Sequence, residues 1–287
     1  MSFARGSDYF AGRRVVITGG SSGIGLSLAH HLAAAGADLC LVARRPGPLE
    51  MARAAIVQAF PSCRVCTSAV DVADEAAVTR GLAPILEDGV DVLLNVAGVT
   101  RPGRFIELPP DEFRSQMDAN YFGVVHMCRA VVPHFIGRRA GHIVNVGSLA
   151  GIIGIYGYSA YCASKFALTG FSQSLRAELW PYGIRVSIAQ PPDTDTPMLV
   201  NETPLRPPET AAIAGTAPVR SADEVARAIL RGAARGDFEI WGDRTSQLLA
   251  FLQGATPWLA RWVCDAAQRK VMTRNPSSSV LEEGTLE

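Results

Sequence analysis

The chain has 287 residues, 48% of them apolar and 19% charged, with 27 basic residues balancing 27 acidic ones. That length and apolar content suffice for one sizeable α/β core and exclude a disordered body, and the charge balance gives no electrostatic case for a nucleic-acid partner. Residues 1–14 lack the apolar block of a signal peptide, no run approaches the ~18 apolar residues of a spanning helix, and six cysteines in such a chain lead us to expect reduced thiols in a cytoplasmic protein.

The first β-branched run, Val15-Val16-Ile17, leads into Thr18-Gly19-Gly20-Ser21-Ser22-Gly23-Ile24-Gly25, after which Leu28, Leu32 and Ala35 stripe a helix. Strand, glycine turn and helix is the order that a dinucleotide site requires. Glycines let the backbone approach a pyrophosphate, and the helix start offers unpaired N–H groups and a positive dipole end. An ordinary turn is the bland alternative, and the flanking strand and helix weigh against it.

A second strand follows over Asp38–Ala43, ending in Ala43-Arg44-Arg45 with no acid. An acid at that point favours NAD, whereas Arg44 or Arg45 can pair with the extra phosphate of NADP, so NADP(H) is expected. Ser21 and Ser22 are further donors. Residues 48–59 read as a helix and 63–70 as a third strand, which contains Cys63-Arg64-Val65-Cys66. A zinc site needs a second ligand pair, which is missing, and side chains three apart on a strand point to opposite faces. These are read as core cysteines, with no metal.

Residues 75–86 read as a helix capped by Asp74, 90–96 as a fourth strand, and 111–136 as one long helix containing Asn120. Residues 143–146 form a fifth strand. A helix over 161–180 is stopped by Pro181 and Gly183, and Ile184–Gln190 is the sixth strand. A helix over 221–232 and a last strand near 238–241 complete the series. Strands alternating with helices imply a Rossmann-type, doubly wound, mainly parallel α/β sheet with helices on both faces.

Tyr161 and Lys165, four apart, share one helix face. A phenol titrates near pH ~10, and a neighbouring ammonium favours the phenolate. Ser148 can share charge developing on a substrate oxygen.

The glycine loop, Asn95-Val96-Ala97-Gly98, Asn120, Ser148 and Tyr161-Cys162-Ala163-Ser164-Lys165 occur in the order of the short-chain dehydrogenase/reductase family, which residues 12–197 resemble. The resemblance implies hydride transfer between nicotinamide and a carbonyl carbon, with Tyr161 as the acid–base group and Lys165 on the nicotinamide ribose. It implies that Asn120 holds a relay water, that Asp71 and Val72 lie at the adenine, and that Asn95, Ala97 and Gly98 lie along the cofactor. In Pro191-Pro192-Asp193-Thr194-Asp195-Thr196-Pro197, the family contact to the carboxamide falls on Pro191, Thr194 and Thr196, but Pro192 replaces a glycine and Thr194 an aliphatic residue. That departure resembles the 3-ketodihydrosphingosine reductases, which implies NADPH-dependent reduction of a long-chain, lipid-like ketone. Reduction of a 3-oxoacyl, steroid or xenobiotic ketone stays open, as does a non-enzymatic NADP-binding redox sensor or scaffold. Family members usually pair as homodimers or homotetramers through the helices before the fifth and sixth strands.

Residues 1–243 are expected to form one catalytic domain, with 198–218 as a substrate loop. Residues 244–287 form a C-terminal extension. In it, Leu248, Leu249, Phe251 and Leu252 precede a helix over 258–271 carrying Trp258 and Trp262. That stripe suits peripheral membrane contact through 244–271, packing on a sister subunit, or cover for a lipid substrate.

Overall fold

The structure, a computed structural model, describes residues 8–215 and 218–258, with 262, 265, 266 and 269. Seven parallel strands form the main sheet: β1 (Arg14–Thr18), β2 (Asp38–Ala43), β3 (Val65–Ala69), β4 (Val92–Asn95), β5 (Gly141–Val146), β6 (Ile184–Gln190) and β9 (Glu239–Trp241). Their spatial order is β3-β2-β1-β4-β5-β6-β9, so the winding reverses between β1 and β4. A two-stranded parallel pair, β7 (Thr194–Asp195) and β8 (Arg220–Ser221), stands apart from it.

Helices α1 (Gly23–Ala34), α2 (Pro46–Ala59) and α9 (Ala222–Arg235) cover one face, and α3 (Glu75–Glu87), α5 (Gly123–Arg138) and α6 (Ser159–Leu179) cover the other. Alternation along each strand builds both cores. Val15 and Ile17 point to the first, Val16 to the second, and all three are fully buried. Cys63 packs in the first core and Cys66 against the second, so the two thiols do face opposite ways.

Local chemistry sets the helix ends. The Asp74 carboxylate accepts from the Ala77 amide at 2.9 Å, and Ser221 forms a reciprocal capping box with Glu224. After α6 the chain turns through Trp180–Tyr182 and leaves at Gly183 with φ 73°.

Two expectations change. The long helix over 111–136 is two helices, α4 (Pro110–Met117) and α5, joined by a π turn at Asp118–Phe122. The apolar spacing runs through this one-turn widening without a break, so periodicity does not reveal it. The stretch 198–218 is not a plain loop. It carries α7 (Pro197–Glu202), a 3-10 turn (Thr203–Leu205) and α8 (Pro208–Ala214), each helix opening on a proline. After β9, α10 (Arg244–Ala255) is capped by Asp243, which accepts from the Ser246 amide. Most of the expected helix over 258–271 lies outside the described residues. No helix among the described residues is long and apolar enough to cross a membrane.

Candidate active site

The reversal between β1 and β4 opens a crevice at the carboxyl ends of the strands, and the glycine loop sits at its mouth. Gly19 has φ +68°, and a Cβ there would lie 3.0 Å from the Ala97 backbone. Only glycine allows both the left-handed turn and that approach. A Cβ on Gly25 would drive into the Gly19 carbonyl, so α1 packs directly on the turn. Ser22 caps α1 without a side-chain bond, which leaves the helix's first amides open to an anion. Thr196 packs over Gly23, so the segment after β6 reaches back to this loop. The cradle therefore fits a dinucleotide pyrophosphate.

The Thr18 hydroxyl faces inward and accepts from the amides of Val96, at 2.9 Å, and Ala97, at 3.0 Å. It ties the β1 exit to the β4 exit. The Asn95 amide donates to Asn145 at 2.9 Å inside the sheet, and Asn145 donates on to Ser172. Asp71 accepts from the Ala73 amide and faces Arg44 at 3.7 Å, both side chains being well exposed. Arg45 is exposed at the start of α2. The Val72 carbonyl accepts from or faces His126 Nδ1 at 2.9 Å. Along the last segment, the Leu149 amide donates to the Pro191 carbonyl, and Thr194 donates to the Pro192 carbonyl.

The residues that resemble a catalytic group converge at the ends of β4, β5 and α6. Lys165 Nζ donates to the Val146 carbonyl at 3.0 Å and lies 5.7 Å from the Tyr161 ring centre. A Cβ on Gly98 would sit 2.9 Å from Asn120 Oδ1 and 3.7 Å from Lys165 Nζ, so glycine is what allows these groups to meet. Asn120, in the π turn, accepts from the Val99 amide and donates to the Val99 carbonyl and to Ser164 Oγ, at 2.8, 2.9 and 2.9 Å. Ser148 stands just past β5, and its Oγ accepts from the Ala150 amide at 3.1 Å.

Burial dominates the electrostatics here. It raises the Tyr161 phenol above its ordinary value, opposed by a hydrogen bond with Ser148 and reinforced by the charges of Glu202 and Asp193. Burial, rather than the Lys165 ammonium, sets the direction of the phenol's shift. Burial also brings the Lys165 ammonium down to about 8.

Several residues at this site carried no signal in the sequence. The Gln190 side chain accepts from the Ser148 amide at 2.8 Å and donates to Thr169 at 3.1 Å, which fixes the serine's position. Tyr158 packs on Tyr161 with ring centres 5.7 Å apart and donates its hydroxyl to Glu202 at 2.8 Å. Arg206 bridges Glu202 and Asp193, and Arg104 joins Tyr156 to Glu209. Such pairings link distant segments, so no local spacing announces them.

Comparison with known proteins places the chain in a family. The family described as short chain dehydrogenase matches residues 13–206. A curated relative from Dictyostelium discoideum, named 3-ketodihydrosphingosine reductase, is 37% identical over 86% of this chain and 80% of its own length. One from Danio rerio, named 3-dehydrosphinganine reductase, is 38% identical over 86% of this chain and 76% of its own. Among solved structures, levodione reductase is 30% identical, with a TM-score of 0.73 over 80% of this chain and 95% of its own. A short-chain dehydrogenase from Sphingobium yanoikuyae in complex with NADPH is 28% identical, with a TM-score of 0.73 over 96% of this chain and 99% of its own. The chain belongs to the short-chain dehydrogenase/reductase family and is an oxidoreductase of ketone and alcohol groups that uses a nicotinamide cofactor.

Proposed function

We propose that the chain reduces the ketone of 3-ketodihydrosphingosine with NADPH. The observation that carries this reading is the run of curated relatives named for that activity, matched at 37–38% identity over most of the chain. The named substrate is a long-chain ketone with an amino group on the adjacent carbon and a hydroxyl beyond it. Phe105, Ile106 and Val200 are exposed apolar side chains on the segments that Arg104 and Glu202 tie to the site, which suits an alkyl chain.

The residues present fit a dinucleotide. The loop from Gly19 to Gly25 and the open start of α1 would take the pyrophosphate. Arg44 and Arg45 would meet the 2′-phosphate, and the missing acid after β2 favours NADP(H) over NAD(H). Asp71 and Val72 would lie at the adenine, with Asn95, Ala97 and Gly98 supporting the cofactor's path and Pro191, Thr194 and Thr196 near the carboxamide. Once bound, the cofactor supplies the hydride. Tyr161, held protonated by burial, donates its proton to the carbonyl oxygen, and Ser148 donates a hydrogen bond to that oxygen as its charge grows. Lys165 offers positive charge beside the phenol, and Asn120 holds the β4 exit against α6 around them.

Pairing of two or four copies through α5 and α6, and peripheral membrane contact through 244–271, complete the proposal. Exposed Leu248, Phe251, Trp258 and Trp262 support the membrane contact. The test is a panel of ketones with NADPH, including 3-ketodihydrosphingosine, a 3-oxoacyl thioester and a steroid ketone. Saturable NADPH consumption with the first is expected, and consumption only with another ketone would overturn the substrate assignment. Arg44→Glu is expected to weaken NADPH more than NADH, and equal effects would move the phosphate contact elsewhere.

A further inference from the structure

Beside the candidate catalytic tyrosine lies a buried charge cluster that the hydride and proton steps do not use. Glu202, at the end of α7, is 8% exposed at its side chain, as is Arg206. Arg206 donates to Glu202 and, at 2.8 Å, to Asp193. Its guanidinium carbon lies 5.9 Å from the centre of the Tyr158 ring, whose hydroxyl also donates to Glu202. Tyr158 in turn packs on Tyr161.

The cluster is unbalanced. Two carboxylates share one guanidinium, which leaves an excess negative charge, and a buried charge is tolerated only when paired. Both bonds to Glu202 fall on Oε1, and among the described residues Oε2 has no donor. Of the two Asp193 oxygens, Arg206 meets Oδ2, and Asp193 keeps 37% of its side chain exposed. Reduction also builds negative charge on the carbonyl oxygen, so an excess carboxylate beside Tyr161 opposes the reaction unless the ligand brings a cation.

We infer that Glu202 and Asp193 form the seat for the ammonium group next to the substrate's ketone, an inference that rests on the aminoketone reading above. Arg206 and Tyr158 are positioning residues that hold Glu202 through Oε1 and turn its other oxygen to the ligand. The seat explains how a site with a single carbonyl chemistry selects an aminoketone over a plain one. It also sets the cation against the growing charge on the oxygen.

The experiment compares two ketones with NADPH: 3-ketodihydrosphingosine and the same long-chain hydroxyketone with hydrogen in place of the amine. The native chain is expected to prefer the aminoketone in kcat/KM. Glu202→Gln keeps an acceptor oxygen for Tyr158 and Arg206 but removes the charge, so it is expected to shrink that preference by about tenfold or more, chiefly through KM. Should Glu202→Gln fail to fold, Asp193→Asn, on the more exposed carboxylate, reads the same ratio. A native chain with no preference, or a variant that loses both ketones equally, overturns the ammonium seat and leaves the reductase reading standing. A native chain that reduces neither ketone overturns both.

Discussion

Burial decides the protonation state of Tyr161 before any ligand arrives. Its phenol is pushed up, so at neutral pH it holds the proton that ketone reduction consumes. Tyr161→Phe keeps the ring against Tyr158 but removes the donor. It is expected to lower kcat by roughly 10²–10⁴-fold while NADPH affinity stays within a few-fold. A variant with near-native turnover, measured by the fall in nicotinamide absorbance, would remove Tyr161 from the chemistry. The pairing of Tyr161 with Lys165 is legible in sequence because four residues make one helical turn. Which way Thr18 and Asn95 point is not legible, since both stand at strand ends where sheet and crevice compete for a side chain. Thr18 turns to Val96 and Ala97, and Asn95 turns to Asn145. Glu202 is still harder to foresee, because its partner Tyr158 lies 44 residues away.

At the scale of the element, the π turn at Asp118–Phe122 is what brings Asn120 to the β4 exit and α6 at once. A regular helix through this stretch would shift every following side chain around its axis, and Asn120 would no longer span Val99 and Ser164. Asn120 is fully buried, and Asn120→Ala would leave both polar groups of Val99 unpaired. A loss of roughly 2–4 kcal/mol is expected. It would be read as a fall in melting temperature on the order of 5–15 °C. A variant melting within about 1 °C of the native chain would show that the clamp contributes nothing. Helix-forming spacing runs on through the turn, which is why sequence shows one helix where there are two. In 198–218 the opposite happens: prolines and threonines read as loop, yet Pro197 and Pro208 sit at helix starts, where a missing N–H is harmless.

For the whole molecule, the order of strands and helices was readable because the inner strands β1, β2, β4, β5 and β6 are apolar and buried, and the helices between them bury one side. Right-handed crossovers then set which face of the sheet each connecting helix covers. The polar packing between layers was not readable. Fully buried His142 faces the Tyr9 hydroxyl at 3.1 Å and Ser187 Oγ at 3.0 Å, and burial lowers its titration to about 3. Because the folded value lies below the unfolded one, near 6.5, the unfolded chain takes up the proton first as pH falls. Stability is therefore expected to drop from about pH 6.5 downward until the folded value is reached, by roughly 1.4 kcal/mol at pH 5.5. Urea midpoints at pH 7.5 and 5.5 should show this fall in the native chain and lose it in His142→Gln; the same fall in both would assign it to other groups. Truncation before Arg244 is expected to abolish binding to anionic vesicles while a small soluble ketone is still reduced. A truncated chain that unfolds instead would make the extension structural. The central claim is tested most directly by competition in one vessel, with limiting NADPH and equal amounts of 3-ketodihydrosphingosine, a 3-oxoacyl thioester and a steroid ketone, the products being identified by mass. Dihydrosphingosine should be the dominant product; a different dominant product, or NADPH left unconsumed, would contradict the account.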